Sequence, residues 1–295
     1  MPSLWIDPAK GFTGDTFIAA LIGLGVPEGE LGAALGTAGE MLGGRDIHTQ
    51  LDFLPEGAPA YRLHLAAPDA RPPVAADTLA DWLEQALTKT GVEGAYADLA
   101  RRSLSILREA EQKAHDAVSP GASLPYQVSV TIIAQGRTEG GNDGWLERSA
   151  DLKLHRRGIA HVHPGGPHFH EVQDILIYAI GAAWSLQWLG VNLDRIICFV
   201  PVYVGRGVTW WTSHGKLPIP APATRAILEQ YQIPFAPGPV DCELLTPTGA
   251  AILAALSPTF VSREEKLPEH MRLGVGLGAG ILDSASALRL FVTVT

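Results

Sequence analysis

Hydrophobic and polar residues follow one another along this chain in a pattern that predicts an α/β fold. Short apolar runs at residues 4–6 and at Ile196–Val200 are typical of buried strands. Residues Ile47–Phe53, 61–66 and 288–294 alternate with the period of two expected of strands that bury one face. We therefore expect a mixed, partly parallel sheet flanked by helices.

Apolar residues recur at helical spacing in five further segments, which we expect to be helices: 17–24, Glu28–Met41, 78–87, 96–115 and 172–189. The last is long and apolar, but it contains Ser185 and Gln187 and falls short of the roughly twenty residues of a membrane span, so we expect a buried helix. The pattern loosens over residues 117–167, which predicts a loop-rich segment. The glycine-rich run 274–280 follows no obvious strand and opens no helix, so it does not fit a dinucleotide-binding loop.

The composition excludes several classes of protein. The chain has 295 residues, a net charge of −9 and a pI of about 5.5, which argues against binding to nucleic acid or to anionic membranes. Two cysteines, Cys198 and Cys242, cannot form a disulfide framework, and this usage suits a reducing cytoplasm. The first residues carry no visible export signal, so we expect a cytoplasmic location. A homo-oligomer is compatible with the sequence.

Four histidines and a carboxylate lie within eleven residues just before the last long helix. They are His161, His163, His168, His170 and Glu171. In an extended segment, each His-x-His pair places both rings on one face, and the intervening Pro-Gly-Gly-Pro turn would bring the two pairs together. Because neutral imidazole is a common ligand of nickel, zinc and copper, we expect a metal site here. The alternative is a polar surface loop whose histidines bind no metal.

Two segments predict helix starts with free backbone amides. Gly11, Thr13, Gly14 and Asp15 follow the first strand, with Thr13 as the N-cap. The second start comprises Thr246 as N-cap, followed by Pro247 at the first helical position. Each start is a candidate anion site, and each is equally explained as a structural cap. Asp7 ends the first strand, where a carboxylate commonly faces a crevice in open α/β sheets.

The chain resembles the LarC-type nickel-insertion proteins. The resemblance spans nearly the whole chain in order and rests on six motifs: Asp7 with 11–15, 168–172, 205–207, 214–224, 246–253 and 276–280. It implies an activity in which nickel is inserted, with consumption of CTP, into a pyridinium-3,5-bisthiocarboxylic acid mononucleotide. The chain also differs from the family pattern, reading Asp7-Pro-Ala-Lys-Gly11 where members carry D-C-F-S-G.

The resemblance implies roles for particular residues. The histidine cluster with Glu171 would hold Ni²⁺. Asp7 with Asp15 would hold a hard cation such as Mg²⁺ or Mn²⁺, or would orient Lys10. The residues expected to bind the mononucleotide precursor are Gly11, Thr13, Gly14, His214, Lys216, Thr246, Thr248 and Gly249.

We further expect residues 1–295 to form one domain like the N-terminal domain of this family, with an insertion at about 117–167. The family's C-terminal, nucleotide-handling domain would be absent, so a separate partner would have to use CTP. The sequence is also compatible with two other functions. One is a nickel chaperone or storage protein without catalysis, and the other is a hydrolase in which the same histidines hold a metal with a bound water.

Overall fold

The computed structural model describes residues 2–44, 46–65, 74–117, 132–134, 146–148, 168–169, 171–209, 217–278 and 286–293. The chain divides into two compact units, residues 1–118 together with 167–295, and residues 119–166. The bounds of the second unit lie close to those of the predicted insertion. Its described residues form an antiparallel pair of short strands, β5 (Ile132–Ala134) and β6 (Leu146–Arg148).

The first unit contains the remaining described strands and helices. Its strands are β1 (Leu4–Lys10), β2 (Ile47–Phe53), β3 (Pro59–Leu65), β4 (Val74–Ala75), β7 (His168–Phe169), β8 (Ile196–Val200), β9 (Val202–Tyr203), β10 (Val208–Thr209), β11 (Leu217–Pro218), β12 (Phe235–Ala236), β13 (Thr259–Ser262), β14 (Met271–Leu277) and β15 (Ala287–Thr293). Its helices are α1 (Gly14–Gly23), α2 (Glu28–Met41), α3 (Ala76–Thr90), α4 (Gly94–Ala117), α5 (Ile175–Leu189), α6 (Pro222–Gln230) and α7 (Pro247–Leu256), with 3₁₀ turns at Glu171–Asp174 and Leu193–Arg195.

A seven-stranded mixed sheet organises this unit, in the order β13-β8-β1-β15-β14-β3-β2. The pairs β13 with β8, β8 with β1 and β14 with β3 are parallel, whereas β1 with β15, β15 with β14 and β3 with β2 are antiparallel. The prediction of a mixed, partly parallel sheet is confirmed. Strand β1 lies between β8, which pairs with its residues 4–6, and β15, which pairs with it as far as Lys10.

Strand β14 was missed by the sequence analysis because glycines occupy its buried face. A Cβ atom at Gly274 would lie 2.1 Å from the Ala20 carbonyl oxygen, and one at Gly276 would lie 1.9 Å from the Thr16 carbonyl oxygen. The two glycines therefore let the backbone of α1 rest directly on the strand. The expectation that the run 274–280 follows no strand was wrong, since residues 274–277 lie within one.

Helix α5 is buried, as predicted. From Ile175 to Ala183 every residue is buried, and its apolar side chains join one continuous core with α1, α2 and α7. Gly181 allows the close approach of Ile18 and Leu35. Among the described residues, no helix is long and apolar enough to cross a membrane.

Candidate functional site

The start of α1 follows the carboxyl end of β1 through a tight glycine turn. Gly11 has a φ of +105°, and a Cβ atom there would lie 2.4 Å from the Leu244 carbonyl oxygen, so only glycine fits. Thr13 is the N-cap, and its side chain and that of Thr16 cap each other's backbone amides in a capping box. The Thr13 hydroxyl also donates to the Asp15 carboxylate. These contacts confirm the predicted cap.

The start of α7 lies directly against the start of α1. The Phe12 amide donates to the Leu244 carbonyl oxygen at 2.8 Å, and Phe12 forms a parallel bridge with Leu245. A Cβ atom at Gly249 would lie 2.3 Å from the Phe12 carbonyl oxygen. Thr246 caps α7 by accepting a hydrogen bond from the Gly249 amide at 3.1 Å.

The fold therefore brings together six residues that the sequence analysis had assigned to cofactor binding in two separate segments. They are Gly11, Thr13 and Gly14 at α1, and Thr246, Thr248 and Gly249 at α7. The Thr246 and Thr248 hydroxyl oxygens are 3.0 Å apart. Two adjacent helix N-termini concentrate positive dipole ends and amide donors, which is an arrangement suited to an anion.

Asp7 is buried in the middle of β1, not at its end as expected, because the strand continues to Lys10, and it forms ion pairs with two arginines. Its side chain is 6% exposed, and its two carboxylate oxygens accept from Arg263 and Arg289, respectively. Arg289 lies opposite Asp7 in the antiparallel register of β15. The Arg263 guanidinium also donates to the Pro201 carbonyl oxygen at 3.3 Å and lies 5.8 Å from the centre of the Tyr203 ring. The arrangement favours a role for Asp7 in holding arginines over direct coordination of a hard cation.

Neither arginine was predicted from the sequence to belong to the site. Arg289 is a lone charge in an apolar alternating strand, which was a usable signal. Arg263 follows β13 in a polar stretch with nothing in the sequence to link it to Asp7. Lys10, which with Asp7 and Asp15 completes the set of candidate catalytic residues predicted from the sequence, is exposed at the end of β1 opposite Ala287.

A second carboxyl group, that of Glu243, belongs to a residue three positions before Thr246, the N-cap of α7. Glu243 forms an antiparallel bridge with Gly205, and the next amide, that of Leu244, donates to the Val204 carbonyl oxygen at 3.1 Å. Its Oε1 atom is buried and has no hydrogen-bond partner among the residues that the structure describes. Burial raises the pKa of the Glu243 carboxyl to about 7. The sequence analysis had given this residue no role.

Most of the predicted nickel ligands cannot be placed. His161, His163 and His170 lie outside the described residues, as do His214 and Lys216. The backbone of His168 lies in β7, where it pairs with Ala75, and Glu171 opens the 3₁₀ turn that leads into α5. Within the described ranges, no group of three or more His, Cys, Asp or Glu residues could hold a metal ion.

Comparison with known proteins bears directly on this site. The profile of a family described as "Nickel insertion protein" matches residues 4–120 and 149–295, which include both helix starts, Asp7, Glu243 and the two arginines. The chain belongs to the nickel insertion protein family. The internal gap in the match, residues 121–148, falls inside the predicted insertion.

Relatives agree with this assignment. The chain is 32% identical over 293 residues to a protein of Thermomicrobium roseum whose name assigns it provisionally to nickel insertion, covering 98% of this chain and 57% of the relative. A similarly named protein of Geotalea uraniireducens is 30% identical over 285 residues, covering 96% of this chain and 58% of the relative. The chain thus spans somewhat more than half the length of these relatives.

A shorter match names a substrate. Over 145 residues, the chain is 40% identical to the pyridinium-3,5-bisthiocarboxylic acid mononucleotide nickel insertion protein of Clostridium kluyveri, covering 48% of this chain and 33% of the relative. No solved structure matches the chain significantly.

Proposed function

We propose that this chain binds a pyridinium-3,5-bisthiocarboxylic acid mononucleotide and takes part in inserting nickel into it. The observation that carries the proposal is the direct contact between the starts of α1 and α7, within a chain of the nickel insertion family. A mononucleotide has a phosphate, and two adjoining helix N-termini supply the amides and the positive field that a phosphate requires.

The phosphate would lie at the amides around Thr13 and Thr246. Both threonines use their side chains to cap the helices, so the first-turn amides that they leave free remain as donors for a ligand. Gly11 and Gly249 let the two backbones approach without side chains between them. In this proposal Gly14, Thr248, His214 and Lys216 complete the binding of the mononucleotide.

The arginine pair would bind a second anionic group of the same substrate. The two guanidinium groups and the single carboxylate of Asp7 together carry one net positive charge. The side chains of Arg263 and Arg289 are 31% and 52% exposed, so both keep surface for a ligand. A thiocarboxylate matches the planar fork of a guanidinium, as carboxylates in general do.

Nickel enters this account as a substrate. We propose that His161, His163, His168, His170 and Glu171 hold Ni²⁺ before its transfer, since imidazole suits nickel better than carboxylate alone does. The segment that carries them joins α5, which packs against α1 in the same core. Asp15, at the start of α1, stays the better placed of the two acidic residues for Mg²⁺ or Mn²⁺.

CTP is assigned to a partner in this proposal. The sequence offers no Walker loop, and the match to this chain covers only 57% and 58% of the two relatives of Thermomicrobium and Geotalea. We therefore propose that a CTP-using partner, or the region of the relatives beyond the match, acts together with this chain.

Product analysis tests the proposal. The chain would be incubated with Ni²⁺, Mg²⁺, CTP and the thiolated precursor, with the C-terminal half of the Thermomicrobium relative as the partner. Mass spectrometry should detect the precursor with nickel incorporated. A nickel-loaded protein with unaltered precursor would instead indicate a chaperone or storage protein, and hydrolysed precursor would indicate a hydrolase.

A further inference from the structure

Glu243 has a position that the proposed binding roles leave unused. Its backbone forms a bridge with Gly205. Two residues later, Leu245 forms a bridge with Phe12, which directly precedes the cap of α1. A Cβ atom at Gly205 would lie 1.8 Å from the Cys242 carbonyl oxygen, so this segment is held tightly against the chain around residue 205. The backbone that carries this carboxyl group is thus held three residues before the α7 cap, next to the segment that precedes α1.

One oxygen of this carboxyl group, Oε1, is buried without a hydrogen-bond partner in the described part of the chain, which costs free energy. An unpaired buried carboxylate costs free energy, and folded proteins rarely retain one away from a functional site. The same burial raises the pKa of the group to about 7, where a carboxyl can both accept and release a proton.

Nickel insertion into this class of substrate releases a proton. Thiocarboxylates at ring positions 3 and 5 flank the carbon at position 4, so a nickel ion held by both sulfur atoms lies at that carbon. The hydrogen on the carbon occupies the same place. For nickel to bind, the C–H bond must break, with its electron pair forming the carbon–nickel bond and its proton leaving to a base. No electron is gained or lost overall.

We propose that Glu243 is the base that accepts this ring proton. This role rests on the proposed function. The carboxylate form of Glu243 takes the proton as nickel bonds to the carbon, and the neutral acid then releases it to solvent after the product leaves. The nearby helix starts, by holding the phosphate, would fix the ring relative to this carboxyl group.

Several charged groups lie on the elements around Glu243, but burial alone raises its pKa. Asp241, two residues earlier, forms an ion pair with Arg206 at 3.4 Å, and burial raises the pKa of the neighbouring Cys242 thiol. On the segment with Phe12, the charged residues are Lys10, which is exposed, and Asp15, whose carboxylate accepts from Thr13. Burial is the cause of the raised pKa of Glu243, so the group should titrate near neutral pH in the free protein.

Single-turnover nickel insertion tests the role. Wild type, Glu243→Gln, Glu243→Asp and the exposed control Glu93→Gln would be assayed with the partner and CTP, using precursor that carries hydrogen or deuterium at position 4. We expect Glu243→Gln to insert nickel about 10²- to 10⁴-fold more slowly while binding Ni²⁺ and precursor as wild type does. Glu243→Asp should recover part of the rate, and Glu93→Gln should match wild type.

Wild type provides a test that needs no variant. Its rate should rise with pH through an ionisation near 7, and the deuterated precursor should react more slowly. Loss of that ionisation in Glu243→Gln would support the role. An unchanged rate and pH profile in Glu243→Gln, with wild type active, would overturn the role of Glu243 alone. A wild-type protein that inserts no nickel would instead overturn the proposed function on which the role rests.

Discussion

The backbone of Gly249, in the first turn of α7, lies against the carbonyl oxygen of Phe12, just before α1. A Cβ atom at Gly249 would approach that oxygen to 2.3 Å and the Thr13 Cα atom to 2.9 Å. No flexible side chain separates the two segments there, so the approach depends on glycine itself. This contact joins two helix starts that are more than 230 positions apart in the chain.

Replacing Gly249 with alanine should therefore separate the helix starts. We expect Gly249→Ala to lower the free energy of unfolding by about 1–3 kcal/mol, because the added methyl group meets backbone atoms that cannot move aside. The matched control is Gly36→Ala in α2, where an added Cβ atom meets nothing within 4 Å. That control should be neutral or more stable by up to about 1 kcal/mol. Urea unfolding measures both, and equal midpoints for Gly249→Ala and wild type would contradict the contact.

The ion pairs of Asp7 should be energetically coupled. Asp7→Asn leaves Arg263 and Arg289 without their shared carboxylate, and we expect a loss of about 1–3 kcal/mol of stability, reduced by the partial exposure of both arginines. A double-mutant cycle with Arg289→Gln should give a coupling energy of about 1 kcal/mol. Asp194→Asn, at an exposed acid, is the control and should change little. A coupling near zero would show that the arginines do not depend on Asp7.

Glu243 should make stability depend on pH in a defined direction. Its pKa is raised in the folded protein from 4.5 to about 7, so the folded state binds the extra proton between these values. The free energy of unfolding is therefore highest, as far as this group is concerned, at low pH, and it falls as the pH rises from about 4.5 to about 7. We expect Glu243→Gln to be more stable than wild type at pH 8, by up to a few kcal/mol, and to show no such gain at pH 4.5. Thermal unfolding at the two pH values measures this, and an equal difference at both would contradict the burial of the charge.

The histidine cluster should account for nickel binding. We expect about one tight Ni²⁺ site per chain, and replacing His168 and His170 together with alanine should weaken it strongly, because two ligands are lost. The matched control replaces His48 and His64, whose rings stack at 4.8 Å on β2 and β3. Calorimetry compares the affinities. Unchanged affinity in the first variant, or an equal loss in the control, would contradict the assignment.

Much of the fold follows from local sequence patterns. Helix α2 was predicted over its full observed range, as was β2, because hydrophobic periodicity and helix capping act over a few residues. Strand β14 was not predicted because Gly274 and Gly276 have a low preference for strands. Their place in the sheet is set by the approach of α1, which is a tertiary effect that local patterns do not contain.

The candidate site also combines features that follow from local sequence with features that depend on tertiary contacts. The caps at Thr13 and Thr246 are local and were predicted, whereas their contact depends on how the sheet orders β1, β8 and β13. Arg263 reaches Asp7 across 256 positions, and no spacing rule covers such a distance. The raised pKa of Glu243 depends on burial, which its mixed polar and apolar sequence neighbours do not indicate.

Nickel incorporation into the precursor, followed by mass spectrometry, tests the central claim most directly. The chain would be incubated with Ni²⁺, Mg²⁺ or Mn²⁺, CTP and the pyridinium precursor, with and without the C-terminal half of the Thermomicrobium relative, and the full-length relative would serve as the positive control. We expect the chain alone to hydrolyse CTP slowly or not at all, and to insert nickel when the partner is added. Robust CTP-dependent insertion by the chain alone would contradict the requirement for a partner. Absence of insertion in both mixtures, while the full-length relative is active, would contradict the proposed function itself.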